Sequence, residues 1–180
     1  MLSRDPLALL IGMLLDQQFP MERAFASPLL LDERQGVDTL DATTLAGADL
    51  EHLTTLFRGP PALHRYPGSM AARTQDLCAL LVRDYDGDAA AVWTGATSAA
   101  ELRGRLRALP GFGDAKSRIF LALLGKRLGV RPRGWREAAA PYGEDGSRRS
   151  IADVVDATTL AEVRATKQAA KAAAKAAAAT

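Results

Sequence analysis

Cysteine is nearly missing from this chain. Cys78 is the only one in 180 residues, which excludes an intramolecular disulfide and any metal or iron–sulfur site built from cysteines alone. It sits in Leu77-Cys78-Ala79-Leu80-Leu81 and reads as a small buried apolar residue. No apolar run approaches the roughly 20 residues of a membrane span. The stretch Leu7–Leu15 is apolar, but it has neither a basic leader nor a small-residue cleavage site, so a signal peptide is not expected. No sustained alternation of period two occurs either, so no sheet is expected. Together these absences point to a cytoplasmic helical protein without a membrane partner.

Charge is present but unevenly spread. Residues 1–102 hold 7 arginines and no lysine against 14 acids, a net of −7. Residues 103–149 hold 12 bases against 4 acids, a net of +8. Such a segment inside a chain of net charge +2 suits a phosphate-binding surface. It equally suits a solvated helical face whose charges pair with the acidic half.

The breaks and caps divide the chain into helices. Asp5-Pro6 starts one that runs to about Gln18, apolar nearly all round and therefore central. A second follows Pro20. Short helices are expected at Asp41–Leu45 and Asp49–Phe57, before breaks at Gly59-Pro60-Pro61 and Pro67-Gly68. Helix resumes over Ser69–Asp84. Ser98 and Glu101 form a capping box for a helix ending near Leu109, and another runs from Asp114 to about Leu128. The region 129–146 is a loop with a short helix at Trp135–Ala140, and a helix is expected over Ser147–Val155. From Thr159 the chain is rich in alanine, with Lys167, Lys171 and Lys175 spaced by four. That tail reads either as a DNA-clasping helix or as a solvated, frayed one.

Between two of these helices stands Leu109-Pro110-Gly111-Phe112-Gly113. Glycines there allow positive φ and outward-pointing N–H groups at the start of the next helix, where the helix dipole adds positive charge. Leu109 and Phe112 would anchor such a hairpin, and Lys116 and Arg118 follow it. A tight structural turn would use the same glycines.

This hairpin, together with Leu14-Leu15-Asp16-Gln17-Gln18 about the same distance upstream, resembles the helix-hairpin-helix base-excision DNA glycosylases. That superfamily includes endonuclease III and the mismatch adenine glycosylases; more specifically, the chain resembles a small actinobacterial-type branch. The resemblance covers residues 5–128 and, more loosely, 129–156. It implies an all-α, two-lobed glycosylase-like domain over residues 1–157, with the hairpin motif at about 99–128 and a basic tail at 158–180. It further implies a monomer acting on double-stranded DNA in the nucleoid, by flipping a damaged or mispaired base out of the stack. Gln18, with Gln17 beside it, matches the position that fills the gap. Tyr66, in His64-Arg65-Tyr66-Pro67-Gly68, falls where the family places a wedge. Gly111, Phe112, Gly113, Lys116, Arg118 and Arg148 complete the implied DNA contacts. No iron–sulfur cluster or other cofactor is expected; a monovalent cation at the hairpin–phosphate contact is compatible with the resemblance.

The catalytic position departs from the family pattern. The family's aspartate lies about 20 residues past the second hairpin glycine, which here is Arg133. An insertion of roughly 12 residues would move it to Asp145, as stabiliser of the cationic sugar, with Glu144 as general acid. Otherwise Asp145 is a turn residue, and catalysis is lost or uses another acid such as Asp16. The lyase lysine of bifunctional members falls on Ala115; Lys116 lies about 100° further round the helix, so strand nicking is not expected. Trp135, Tyr142 and Phe19 are the aromatics nearest the functional segments. The expected activity is thus a monofunctional glycosylase. The alternatives are a glycosylase-derived protein that binds DNA structure or damage without cutting, and a helical interaction protein that has lost DNA binding.

Overall fold

A computed structural model describes residues 5–177. They form helices α1 (Pro6–Leu15), α2 (Met21–Gln35), α3 (Ala42–Ala46), α4 (Leu50–Arg58), α5 (Pro67–Tyr85), α6 (Ala99–Ala108), α7 (Asp114–Arg127), α8 (Trp135–Ala138) and α9 (Ala157–Ala177), with 3-10 turns at Ala89–Val92 and Ile151–Asp153. No strand occurs among the described residues, in keeping with the all-helical expectation. The described residues form two compact units that alternate along the sequence: 5–96 with 105–113, and 97–104 with 114–177.

The first unit is built round α1. Asp5 caps it by accepting the Ala8 N–H at 2.9 Å, and Pro6 opens the helix, as their order requires. Every residue from Leu7 to Leu15 is buried, which explains the apolar character on all sides. Its neighbour α2 comes close because Gly12 has no side chain: a Cβ there would lie 2.7 Å from Phe25 Cδ1. The helix ends at Leu15, short of the expected Gln18. Gln17 N–H turns back to Leu15 O at 2.7 Å, and Gln18 takes a left-handed φ of +51°. Pro20 is one cause, since it drives Phe19 out of helical geometry and the helix must stop upstream. Asp41 and Asp49 cap α3 and α4 through the Thr44 and His52 N–H groups, both at 2.7 Å, and both helices pack on α5. Cys78, on α5, is fully buried; burial first, and Asp41 second, push its thiol up to about 12.

The second unit is built round α7, whose residues 120–125 are all buried. Trp135 lies on Gly125, where a Cβ would meet the indole Cε3 at 2.4 Å. Ser98 Oγ accepts the Glu101 N–H at 3.2 Å, and Glu101 reaches back to Thr97 N at 2.9 Å, one residue earlier than a full capping box. The helix expected over Ser147–Val155 is only the 3-10 turn at Ile151–Asp153. The Asp153 carboxylate takes the Arg149 and Ser150 N–H groups at 2.8 and 3.1 Å and closes a capping box on Ser150, so the helical turn starts at Ile151 and not at Ser147.

Two stability predictions follow from these packings. Gly125→Ala forces a methyl into the Trp135 ring and lowers unfolding free energy by about 1–3 kcal/mol, measured by urea denaturation. Asp32, on α2, is 7% exposed, and its Oδ1 has no hydrogen-bond partner among the described residues. Burial, then the nearby Asp5 and Glu33 charges, raise its carboxyl to about 6. The folded state therefore holds this proton more tightly than the unfolded chain. The stability linked to it is complete below about pH 4 and is lost as pH rises through about 6. Asp32→Asn removes that loss, which is at most roughly 3 kcal/mol, when unfolding curves at pH 4 and pH 7 are compared.

Candidate nucleic-acid interface

In the first unit the hairpin lies directly on the end of α1. Gly111 has φ +77°, and a Cβ there would stand 2.5 Å from Leu14 Cδ1. Two demands thus converge on one residue: a left-handed backbone and a close approach. Leu109 and Phe112 are buried, and Phe112 N–H closes the turn on Leu109 O at 3.0 Å. Phe112 is therefore an anchor rather than an exposed contact. Gly113 is exposed, and a Cβ on it would meet nothing within 4 Å, so its backbone is open to a ligand.

Leu14 leads into the Asp16-Gln17-Gln18 turn. Gln17 sends its amide to Met70 Sδ at 3.2 Å. Gln18 is exposed and left-handed, a conformation that a side chain other than glycine adopts at a cost. The turn is tied to the Tyr66 loop by a residue that sequence reasoning passed over. His64 is 1% exposed; its Nε2 lies 3.0 Å from Gln17 O, while Nδ1 accepts the Tyr66 N–H at 3.1 Å. Those partners fix the neutral Nε2–H tautomer, because Nδ1 must present a lone pair and a carbonyl can only accept. Phe19 packs its ring 4.8 Å from the His64 ring and carries the Arg23 guanidinium 4.8 Å above it. Tyr66 is 47% exposed, with Arg65 stacked 4.9 Å over its ring. Within the first unit, Gly111 thus sits on the helix that leads to Gln17 and Gln18, and His64 joins that turn to the Tyr66 loop. The sequence signal for His64 is its place at the start of the Tyr66 loop, His64-Arg65-Tyr66-Pro67-Gly68.

In the second unit, α7 begins with an acid. Asp114 pairs with Arg103, and its Oδ2 lies 3.0 Å from Arg118 Nε. Two guanidiniums against one carboxylate leave a net positive charge at this helix start, which also has the favourable end of the dipole. Arg118 further donates through Nη1 to Ala140 O at 3.0 Å. Lys116 is partly exposed. Trp135 is buried on Gly125 and belongs to the core.

The segment Gly143–Arg149 is shaped by Asp153. Its carboxylate, 2% exposed, is 2.6 Å from Lys126 Nζ and 3.2 Å from Ser147 Oγ; Lys126 also donates to Glu144 O at 2.8 Å. Gly143 runs against Arg136, where a Cβ would lie 2.5 Å from the backbone oxygen. Asp145-Gly146 forms a turn, closed by Ser147 N–H to Glu144 O at 3.4 Å, and opens no helix. The Asp145 side chain is 84% exposed and pairs with Arg136 at 2.8 Å. Arg148 pairs with Glu162 and donates to Ser147 O at 2.8 Å. Glu144, Asp145, Arg148 and Arg149 line an open groove of about 680 Å³ with Thr166 and the alanines of α9.

Comparison with protein-family models, curated proteins and solved structures finds no match to this chain. Among the described residues no helix is long and apolar enough to cross a membrane, and no group of three or more His, Cys, Asp or Glu side chains is arranged to hold a metal ion.

The His64 bridge carries its own test. His64→Leu keeps similar bulk but leaves the Gln17 carbonyl and the Tyr66 N–H without their partner. Stability should fall by about 1–3 kcal/mol, and amide exchange at residues 16–18 and 65–66 should quicken together. Unchanged exchange at either segment would show that the imidazole does not couple them.

Proposed function

We propose that this chain is a base-excision DNA repair protein with a helix-hairpin-helix glycosylase-like fold. On this reading it grips the backbone of duplex DNA through Gly111–Gly113, and a damaged or mispaired base leaves the stack past the Gln17–Gln18 turn. The observation that carries the reading is the seat of Gly111 on Leu14. It rests the hairpin on the helix that leads into the exposed, left-handed Gln18, and His64 joins Gln17 in that turn to the loop of the exposed Tyr66. Backbone N–H groups suit phosphate and carry no base information; a polar amide and an aromatic ring suit the gap and the unstacked neighbour. Lys116 adds charge just after the hairpin, and Arg103 and Arg118 outweigh Asp114 there.

The reaction proposed is monofunctional glycosidic hydrolysis, with Asp145 stabilising the sugar cation, Glu144 protonating the departing base, and water adding to the anomeric carbon and giving up a proton to leave an abasic sugar. Ala115 in the lyase position leaves no Schiff-base nucleophile at that place. A second reading, binding without excision, is favoured by one observation: Asp145 stands in solvent, where a carboxylate's field is strongly screened.

Duplexes carrying a panel of damaged and mispaired bases, treated with alkali after incubation, separate the two. Excision predicts alkali-labile sites on at least one lesion, lost by 100-fold or more in Asp145→Asn, and no nicking without alkali. Binding without excision predicts lesion-dependent retention with no abasic product. Absence of duplex binding at low salt would overturn both.

A further inference from the structure

Beyond Val163, which is fully buried, every described residue of α9 is exposed. Glu162 is the last acid in the chain, and Arg164, Lys167, Lys171 and Lys175 follow it. At about 100° and 1.5 Å per residue, these four bases fall within an arc of roughly 80° along about 16 Å of axis. The Glu162 that holds Arg148, and the alanines lining the neighbouring groove, lie on a different face. We infer that this stripe is a second nucleic-acid contact, in which α9 lies along the phosphate backbone of a DNA duplex. The choice of duplex DNA among polyanions rests on the base-excision reading above.

Three physical arguments support the assignment. Like charges four residues apart destabilise an isolated helix by about 0.2–0.5 kcal/mol per pair, and this helix carries two such lysine pairs. A polyanion turns that repulsion into attraction, and duplex DNA offers about one charge per 1.7 Å of axis. The alanine around the lysines, the strongest helix former, keeps the exposed stripe on one face. The remaining faces past Val163 carry no apolar side chain larger than alanine, so the segment lacks the bulky apolar face by which an amphipathic helix enters a lipid surface.

The test compares the full chain with Lys167→Ala/Lys171→Ala/Lys175→Ala and with Gly113→Glu, each titrated with an undamaged duplex from about 50 to about 200 mM salt. Alanine preserves or raises helicity, which circular dichroism verifies. Three lost phosphate contacts should make the slope of log K against log salt shallower by about 2.7, so the triple variant loses about 40-fold less affinity across that range. An unchanged slope overturns the inference. A triple variant that fails to bind while Gly113→Glu binds normally supports the tail and refutes the hairpin. The converse pattern supports the hairpin and refutes the tail. Lysine-dependent capture by anionic vesicles without duplex binding also overturns it.

Discussion

The space that Gly111 leaves open is the constraint on which the first unit's candidate surface depends. The hairpin reaches Leu14 only because no side chain intervenes, and the same residue needs a positive φ that a Cβ would make costly. Leu14 is fully buried, so the hairpin rests on a helix that is buried from Leu7 to Leu15. One turn further along, the backbone breaks into the Gln17–Gln18 turn, and His64 carries that position across to Tyr66. The order is from packing to geometry to exposure: a buried leucine places a glycine, and a buried imidazole places two exposed side chains.

The basic segment has a different character from the one its charge count suggests. Arg103 and Arg118 are held by Asp114, Lys126 by Asp153, Arg136 by Asp145, and Arg148 by Glu162. Arg131 donates to Gly125 O at 2.8 Å. These cations stitch the second unit together, and their acids come from the same unit. The expectation that they would pair with the acidic half of the chain therefore does not describe these contacts.

Much of the helical pattern was legible because its signals are local. Asp5-Pro6, Asp41 and Asp49 mark helix starts by satisfying N–H groups a few residues away, and Gly111 marks a turn by its own backbone freedom. The Ser147–Val155 segment was misjudged because its backbone donors go to the Asp153 carboxylate, held in place by Lys126 from 27 residues upstream. No window of periodicity contains that pairing. His64 was invisible as a bridge for the same reason: its partner carbonyl on Gln17 is 47 residues away. The site's chemistry was least legible, because a carboxylate's role depends on what surrounds it, and Asp145-Gly146 looks the same in sequence whether it opens a helix or closes a surface turn.

On the proposed reading, Gln18 sets folding and recognition against each other. Its left-handed backbone is one that glycine adopts freely and asparagine tolerates well. A sequence tuned for folding alone would therefore abandon glutamine at this place first. Keeping a long amide on a strained, exposed turn sacrifices some stability for reach, and local conflicts of this kind gather where a surface meets its ligand. Consensus-style stabilisation would erase the side chain without disturbing the core, leaving a sturdier protein with a blunter face.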